Sequence, residues 1–185
     1  EMQPYDGETS SDEDDCADGT ERLVATVWKG VDNSEYRTAH KSVNGEIYEG
    51  QFKNGLRDGL GTCVYTNGDM YEGEWKDGRM NGKGTYYYSN GDKYDGDWKD
   101  DTRHGKGRVT YAGADGKVCE SYDGDWVDGR MHGWGKYNYA DGGIYEGDWK
   151  DGKMHGKGVY IFPNSNKYEG EWKDDVKKRS EERRV

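Results

Sequence analysis

One short phrase, tyrosine–acid–glycine–acid–tryptophan, returns along this chain at a nearly fixed interval and limits what the chain can fold into. It begins at Tyr71 (YEGEW), Tyr94 (YDGDW), Tyr122 (YDGDW), Tyr145 (YEGDW) and Tyr168 (YEGEW), with a weaker copy, YEGQF, at Tyr48. The tyrosines are spaced 23, 23, 28, 23 and 23 residues apart. Extra residues at 112–121 account for the one long interval, and the spacing predicts a lengthened loop there. Seven residues after the Trp or Phe of the first five copies a Gly-x-Gly follows: Gly59/Gly61, Gly82/Gly84, Gly105/Gly107, Gly133/Gly135 and Gly156/Gly158. A period of this size marks a repeat architecture, in which each unit buries its apolar face only against its neighbours.

Within a unit the period drops to two, the signature of a strand. Tyr71, Gly73 and Trp75 fall on one face, and Glu72 and Glu74 on the other. Lys76-Asp77-Gly78 supplies turn chemistry. Gly82, Gly84, Tyr86 and Tyr88 return on a shared face, and Ser89-Asn90-Gly91-Asp92 turns into the next unit. The glycines leave flat, side-chain-free spots where a ring from the adjacent strand can lie. Hairpins of this kind are marginal alone and stable when stacked. The predicted fold is all-β: an elongated, twisted, single-layer antiparallel sheet of stacked hairpins. Five and a half units give about eleven strands, roughly 50–55 Å along the stack.

Composition supports a ring-built fold. Leu, Ile, Val and Phe contribute only 19 of 185 residues, and the net charge is −11, a combination that by itself reads as disorder. Sixteen Tyr, seven Trp and 30 regularly placed Gly oppose that reading, since each ring buries roughly 150–250 Å². Residues 1–21 carry nine acids and no Lys or Arg, which predicts a disordered acidic tail. Residues 22–44 leave the register, and Val24, Val27, Trp28 and Val31 suit either a cap on the first hairpin, the reading favoured here, or a degenerate repeat. The repeats occupy residues 45–175, five whole and one half. Residues 176–185 form a charged tail, and the run from Asp174 to Arg179, acids first and bases later, suits a short helix.

YEGEWKDGRMNGKGTYYYSNGDK and its copies resemble MORN (membrane occupation and recognition nexus) repeats over about seventy per cent of the chain. Phe52 in place of Trp, Asp101 in place of the turn Gly and Ser165 in place of the Gly before the last copy depart from the pattern. The resemblance implies the stacked-hairpin fold. It also implies that any catalysis resides in a separate domain, as in lipid kinases and lysine methyltransferases that carry such repeats.

The polar motifs have bland explanations. His104, His132 and His155 each precede a Gly-x-Gly, where Asp58 and Asn81 stand in other copies. Successive copies lie about 9–10 Å apart, too far to share a metal. The paired acids read as a solvated face rather than an acid–base or calcium site. No phosphate loop or catalytic triad is discernible, so no enzyme activity, cofactor or metal is expected. Cys16, Cys63 and Cys119 are odd in number and far apart, which fits a reducing compartment. No apolar run reaches the roughly 18 residues of a membrane helix, and the chain reads as soluble and cytoplasmic.

Outward positions that break the polar rule are the candidate binding residues. Leu60 and Trp134 stand where other copies have Lys83, Lys106 and Lys157, and a second outward column contains Val64, Tyr87 and Ile161. Exposed Trp and Tyr are favoured at interface hot spots. The expected partners are other proteins of a large cytoskeletal assembly. By resemblance to small all-repeat chains, that assembly is the axoneme of a cilium or flagellum, in particular its radial spokes. Phospholipid binding is the alternative, disfavoured by a body of net charge −4 between the tails, and a targeting module serving an enzyme on another chain is a third. The absence of a basic field argues against nucleic acid. Open strand edges allow a homodimer.

Overall fold

The computed structural model describes residues 27–29 and 34–178, with side chains from residue 41 onward. These residues form one antiparallel sheet of fourteen strands in strict chain order. It starts with β1 (Val27–Lys29), β2 (Ser34–Lys41), β3 (Ile47–Lys53) and β4 (Leu56–Val64). It continues through β5 (Met70–Lys76), β6 (Arg79–Tyr87), β7 (Lys93–Lys99), β8 (Thr102–Ala112) and β9 (Val118–Val127). β10 (Arg130–Asn138), β11 (Ile144–Lys150), β12 (Lys153–Ile161), β13 (Lys167–Lys173) and β14 (Val176–Lys177) complete it. The sheet does not close into a barrel, so it spans about 60 Å at roughly 4.8 Å per strand. The eleven strands expected of the repeats are β3 to β13. No helix long and apolar enough to cross a membrane occurs among the described residues.

Each unit is a hairpin closed by a two-residue turn with both residues at positive φ, the pairing that matches the twist of adjoining strands. Asp77 and Gly78 have φ of 48° and 83°, and Asp128 and Gly129 repeat this at 47° and 78°. Asp101 tolerates φ of 64° in the glycine slot because its carboxylate accepts the N–H of Met80 at 2.8 Å. Asp175 does the same with Met154 at 2.8 Å. The turn backbones also tie units together: Gly78 N–H donates to Arg57 O, Gly129 to Arg103 O and Gly152 to Met131 O, at 2.8–2.9 Å.

The core runs as a single seam along one face. Tyr71, Tyr94, Tyr122 and Tyr145 are fully buried, and Trp75, Trp98, Trp126, Trp149 and Trp172 nearly so. Their rings alternate edge-to-face from Phe52 and Tyr48 through to Trp172 and Tyr168, with centroids 5.0–5.4 Å apart and planes at 81–89°. Each such contact adds about 0.5–1.5 kcal/mol beyond burial. Every polar end is satisfied. Tyr94 Oη donates to Asp97 O at 3.0 Å, and Trp98 Nε1 donates to Gly84 O, in the preceding unit, at 3.0 Å.

The glycines serve the expected purpose. Gly96 pairs directly with Gly107, and the Tyr94 ring lies across both. A Cβ at Gly107 would sit well inside contact distance of the Tyr94 ring and hydroxyl.

Two expectations need correction. The extra residues around 112–121 do not make a long loop. They lengthen β8 and β9, which stay paired as far as Ala112 and Val118 and turn at Gly113–Gly116. Asp115-Gly116 supplies the turn, Gly116 having φ of 74°. Nor does a helix begin at Asp174. Asp174 and Asp175 form the sixth positive-φ turn, at 49° and 69°, and β14 pairs with Trp172 and Lys173. Local turn chemistry outweighs the charge order that favoured a helix. The structure pairs β2 with β3, so the edge of the first hairpin is covered by backbone. Residues 1–26, with the acidic tail and Cys16, lie outside the described residues, as do 179–185 and the side chains proposed to dock a cap.

Replacing Gly107 by Ala should destabilise the fold by about 1–3 kcal/mol, because the seam cannot yield without moving Tyr94. Gly116→Ala meets open space and strains only a positive φ of 74°, costing about 1 kcal/mol. Urea unfolding of the two variants should rank them in that order.

Candidate functional site

The two faces of the sheet divide the work. On the seam face a second row of side chains fills the gap beside the core tyrosines in two ways. Units with Met80, Met131 or Met154 in the slot after the turn carry Tyr86, Tyr137 or Tyr160 six residues on. Units with a cation there carry a smaller residue instead, Cys63 after Arg57 and Val109 after Arg103. The guanidinium of Arg57 lies 5.0 Å from the Tyr48 and Trp75 ring centres and bonds Glu46 at 2.8 Å. Arg103 lies 5.0 Å from Tyr94 and 5.2 Å from Trp126, and it hydrogen-bonds the Tyr88 hydroxyl. Lys177 takes the same slot in the last unit, 4.2 Å from Phe162 and 5.1 Å from Tyr168. This choice between cation and methionine is visible in the sequence once the turns are aligned, but its meaning needs the rings in place.

On the outer face the second acid of each unit has a role that the alternation pattern does not reveal. Each Gly-x-Gly is a bulge, and the acid across from it accepts the N–H of the middle residue. Glu74 takes Lys83 N–H at 3.0 Å, Asp97 takes Lys106 at 2.8 Å, Asp125 takes Trp134 at 2.9 Å and Asp148 takes Lys157 at 2.8 Å. Gln51 serves Leu60 in the same way, at 2.6 Å. These side chains hold backbone; among the first acids, Asp95 pairs with Lys93 at 3.6 Å and Glu169 with Lys167 at 2.8 Å. Lys83 adds an ion pair to Asp97, and Lys106 to Asp125 at 2.5 Å. Burial alone would raise the carboxyls of Asp97 and Asp125, yet the bonds from Lys83 and Lys106 and from the bulge N–H hold both below the ordinary 3.8.

The loops between units are fastened in the same manner. Asp69 is buried and accepts Tyr86 Oη at 2.9 Å and Ser89 N–H at 2.8 Å. Against the cost of burial, these bonds and one from Asn67 lower its carboxyl below 3.8. In the lengthened unit Glu120 reaches the corresponding place, accepting Tyr137 Oη at 2.6 Å. His104, His132 and His155 each face a different turn aspartate, Asp128, Asp151 and Asp174, at 3.9, 3.9 and 3.7 Å. They are therefore distributed along the stack. Among the described residues no group of three metal-ligating side chains converges. Cys63 is buried and Cys119 exposed, and neither is in a disulfide.

The five candidate binding residues all lie on the outer face but divide into two patches. Val64 and Tyr87 both face Met70, and Ile47 faces Val64, so these four make one row across β3 to β6. Leu60, 63 % exposed, is on the strand of Val64. Trp134 is 48 % exposed and faces Asp148, while Ile161 faces Ile144. Leu60 and Trp134 stand six strands apart, about 29 Å. Among the described residues, the Trp134 ring enters none of the ring pairs that consume the other tryptophans from Trp75 onward. Two shallow recesses of about 470 and 760 Å³ lie between successive turns, lined by Leu56, Asp58 and Trp75 and by Asn81, Trp98 and His104.

An open ribbon of like hairpins, whose conspicuous polar side chains hold its own backbone, is a repeat module. The MORN repeat matches six times, at residues 48–70, 71–93, 94–115, 122–144, 145–167 and 168–178, and the chain belongs to that family. No curated protein matches the chain. Among solved structures it is similar to the TCP10 domain of Danio rerio CPAP in complex with a peptide of Danio rerio STIL. The identity is 11 %, with 77 % of this chain and 67 % of that one covered, at a TM-score of 0.38. It is similar also to the SAS-4 (dCPAP) TCP domain of Drosophila melanogaster in complex with a proline-rich motif of Ana2 (dSTIL). There the identity is 14 %, with 84 % and 96 % covered and a TM-score of 0.39.

Because Asp69, Asp97 and Asp125 titrate lower in the folded chain than in the unfolded one, their stabilisation is complete above about pH 3.8. It is lost as pH falls through their folded-state values. Thermal unfolding should therefore drop steeply below that pH, and Asp69→Asn should weaken the dependence while lowering stability at neutral pH.

Proposed function

We propose that this protein is a non-enzymatic scaffold that uses its repeat ribbon to hold other proteins in a cytoskeletal assembly. The observation that carries this reading is the contrast between the faces. The seam face is filled by its own rings, whereas the outer face presents Leu60 and Trp134 at positions that other units give to lysine. Large apolar side chains that break a repeated polar pattern, with no internal packing to explain them, fit a bound partner.

The assembly proposed is the axoneme of a cilium or flagellum, within its radial spokes, which places the protein in the cytoplasm on a cytoskeletal structure. Support for this finer reading is the likeness of the chain, with its charged tails, to small all-MORN components of that structure. Membrane binding is the competing role of the family. The charge of the outer face weighs against it, since first acids recur in every unit and Lys83 and Lys106 are already paired with Asp97 and Asp125.

Trp134→Ala and Leu60→Ala should each weaken capture of the partner proteins several-fold and leave urea unfolding unchanged. The protein should fractionate with detergent-insoluble cytoskeleton. Strong pelleting with anionic liposomes at low salt, and no cytoskeletal fraction, would replace this reading with the lipid one.

A further inference from the structure

Among the described residues, the sixth hairpin has its first strand whole and only the start of its second. In the other five units the core tyrosine lies over two facing glycines, such as Gly147 and Gly158 beneath Tyr145. Tyr168 has Gly170 beneath it, but no described strand lies across from Gly170 on the side away from β12. Tyr168 is accordingly part-exposed, where the other five core tyrosines are at most 1 % exposed. β14 covers only Trp172 and Lys173, and Lys178 N–H reaches Glu171 O at 2.8 Å. Beyond that, the backbone of Lys167–Gly170 presents an open edge among the described residues.

Residues 179–184 do not repeat the sequence that fills this seat in unit five. Aligned with unit five, residues 179 and 181 fall where Gly156 and Gly158 stand. The first of those slots has φ of 56° in unit five, and the second lies directly against the tyrosine ring. Here they are Arg179 and Glu181. Glu182 would oppose Glu169 and Arg184 would oppose Lys167, so like charges would meet twice.

We propose that the edge at Lys167–Gly170 accepts a strand from a partner protein, which completes the sixth hairpin by strand addition. Five internal copies of the missing strand define its chemistry. It has glycine opposite Gly170, because a side chain there would collide with Tyr168. Opposite Glu169 it has a basic or hydroxyl residue, as four of the five copies do with Thr62, Thr85, Arg108 and Lys136, the fifth having Val159. Opposite Tyr168 it has a small apolar residue, since Lys177 occupies the slot that elsewhere goes with Cys63 or Val109. Unit three, with Arg103 and Val109, is the nearest internal template. A second copy of β13 does not qualify, because antiparallel self-pairing that keeps the faces aligned sets Glu169 against Glu169, puts Asn166 opposite Gly170, or seeks Trp172, which β14 already covers. The site lies apart from Leu60 and Trp134 and stands independently of the role assigned to them.

The test uses the full chain and a synthetic peptide with the sequence of residues 105–112 (GKGRVTYA), followed by backbone NMR. Saturable shifts should appear at residues 167–171, with slowed amide exchange there and loss of solvent access at Tyr168. The same peptide with Gly107→Ala should bind at least about tenfold more weakly. Glu169→Lys in the full chain should weaken the parent peptide by up to about fivefold, and a peptide with Arg108→Glu should recover the loss. Trp134→Ala should leave binding unchanged. No shift at 167–171, shifts confined to the other end of the sheet, or equal binding of the alanine peptide would overturn the proposal.

Discussion

A tyrosine ring laid flat across two facing glycines is the interaction on which this structure depends. It brings two strands together where neither has a side chain, so the ring contacts backbone directly and excludes water from the ladder beneath it. Its hydroxyl then bonds a carbonyl three residues on, as Tyr94 does with Asp97, and its edges receive a tryptophan from each side. The tryptophan reaches back to a glycine carbonyl of the previous unit. Each unit therefore contributes half of its neighbour's core, and no hairpin is complete alone.

The sequence made this seam legible because both of its periods are short and regular. Tyr71, Gly73 and Trp75 fall on one face by alternation alone, and Gly82 and Gly84 follow at a constant offset. The role of the second acid was hidden for a physical reason. Glu74 and Asp97 look solvated by alternation, but a bulge across the ladder turns an N–H toward them, and a bulge depends on pairing that no single strand displays. The insertion at 112–121 changes the interval without saying whether strand or turn has grown, and here it is the strands. At Asp174-Asp175 charge order competed with turn geometry, and the carboxylate of Asp175 decided the contest through Met154. Of the candidate site, the residues were legible, but their separation into two patches was not, since it depends on which outward positions face each other.

The outer face combines two tasks on alternating positions. Its second acids are internal fittings, and Lys83 and Lys106 are counterions to two of them, Asp97 and Asp125. Substituting Leu60 or Trp134 for lysine leaves the bulge N–H bonded to Gln51 or Asp125 while removing the counterion, so the ribbon tolerates an apolar side chain there at little structural cost. That tolerance lets individual units diverge in what they display while the seam stays constant.

Strands that run across the long axis put the backbone hydrogen bonds along it. A pull between the first strand and the last therefore loads successive interfaces in series, and the weakest gives way by itself, opening one strand at a time. Force applied along the strands meets a whole ladder at once. The ribbon is thus compliant lengthwise and stiff crosswise, an anisotropy set by strand direction before any partner is attached.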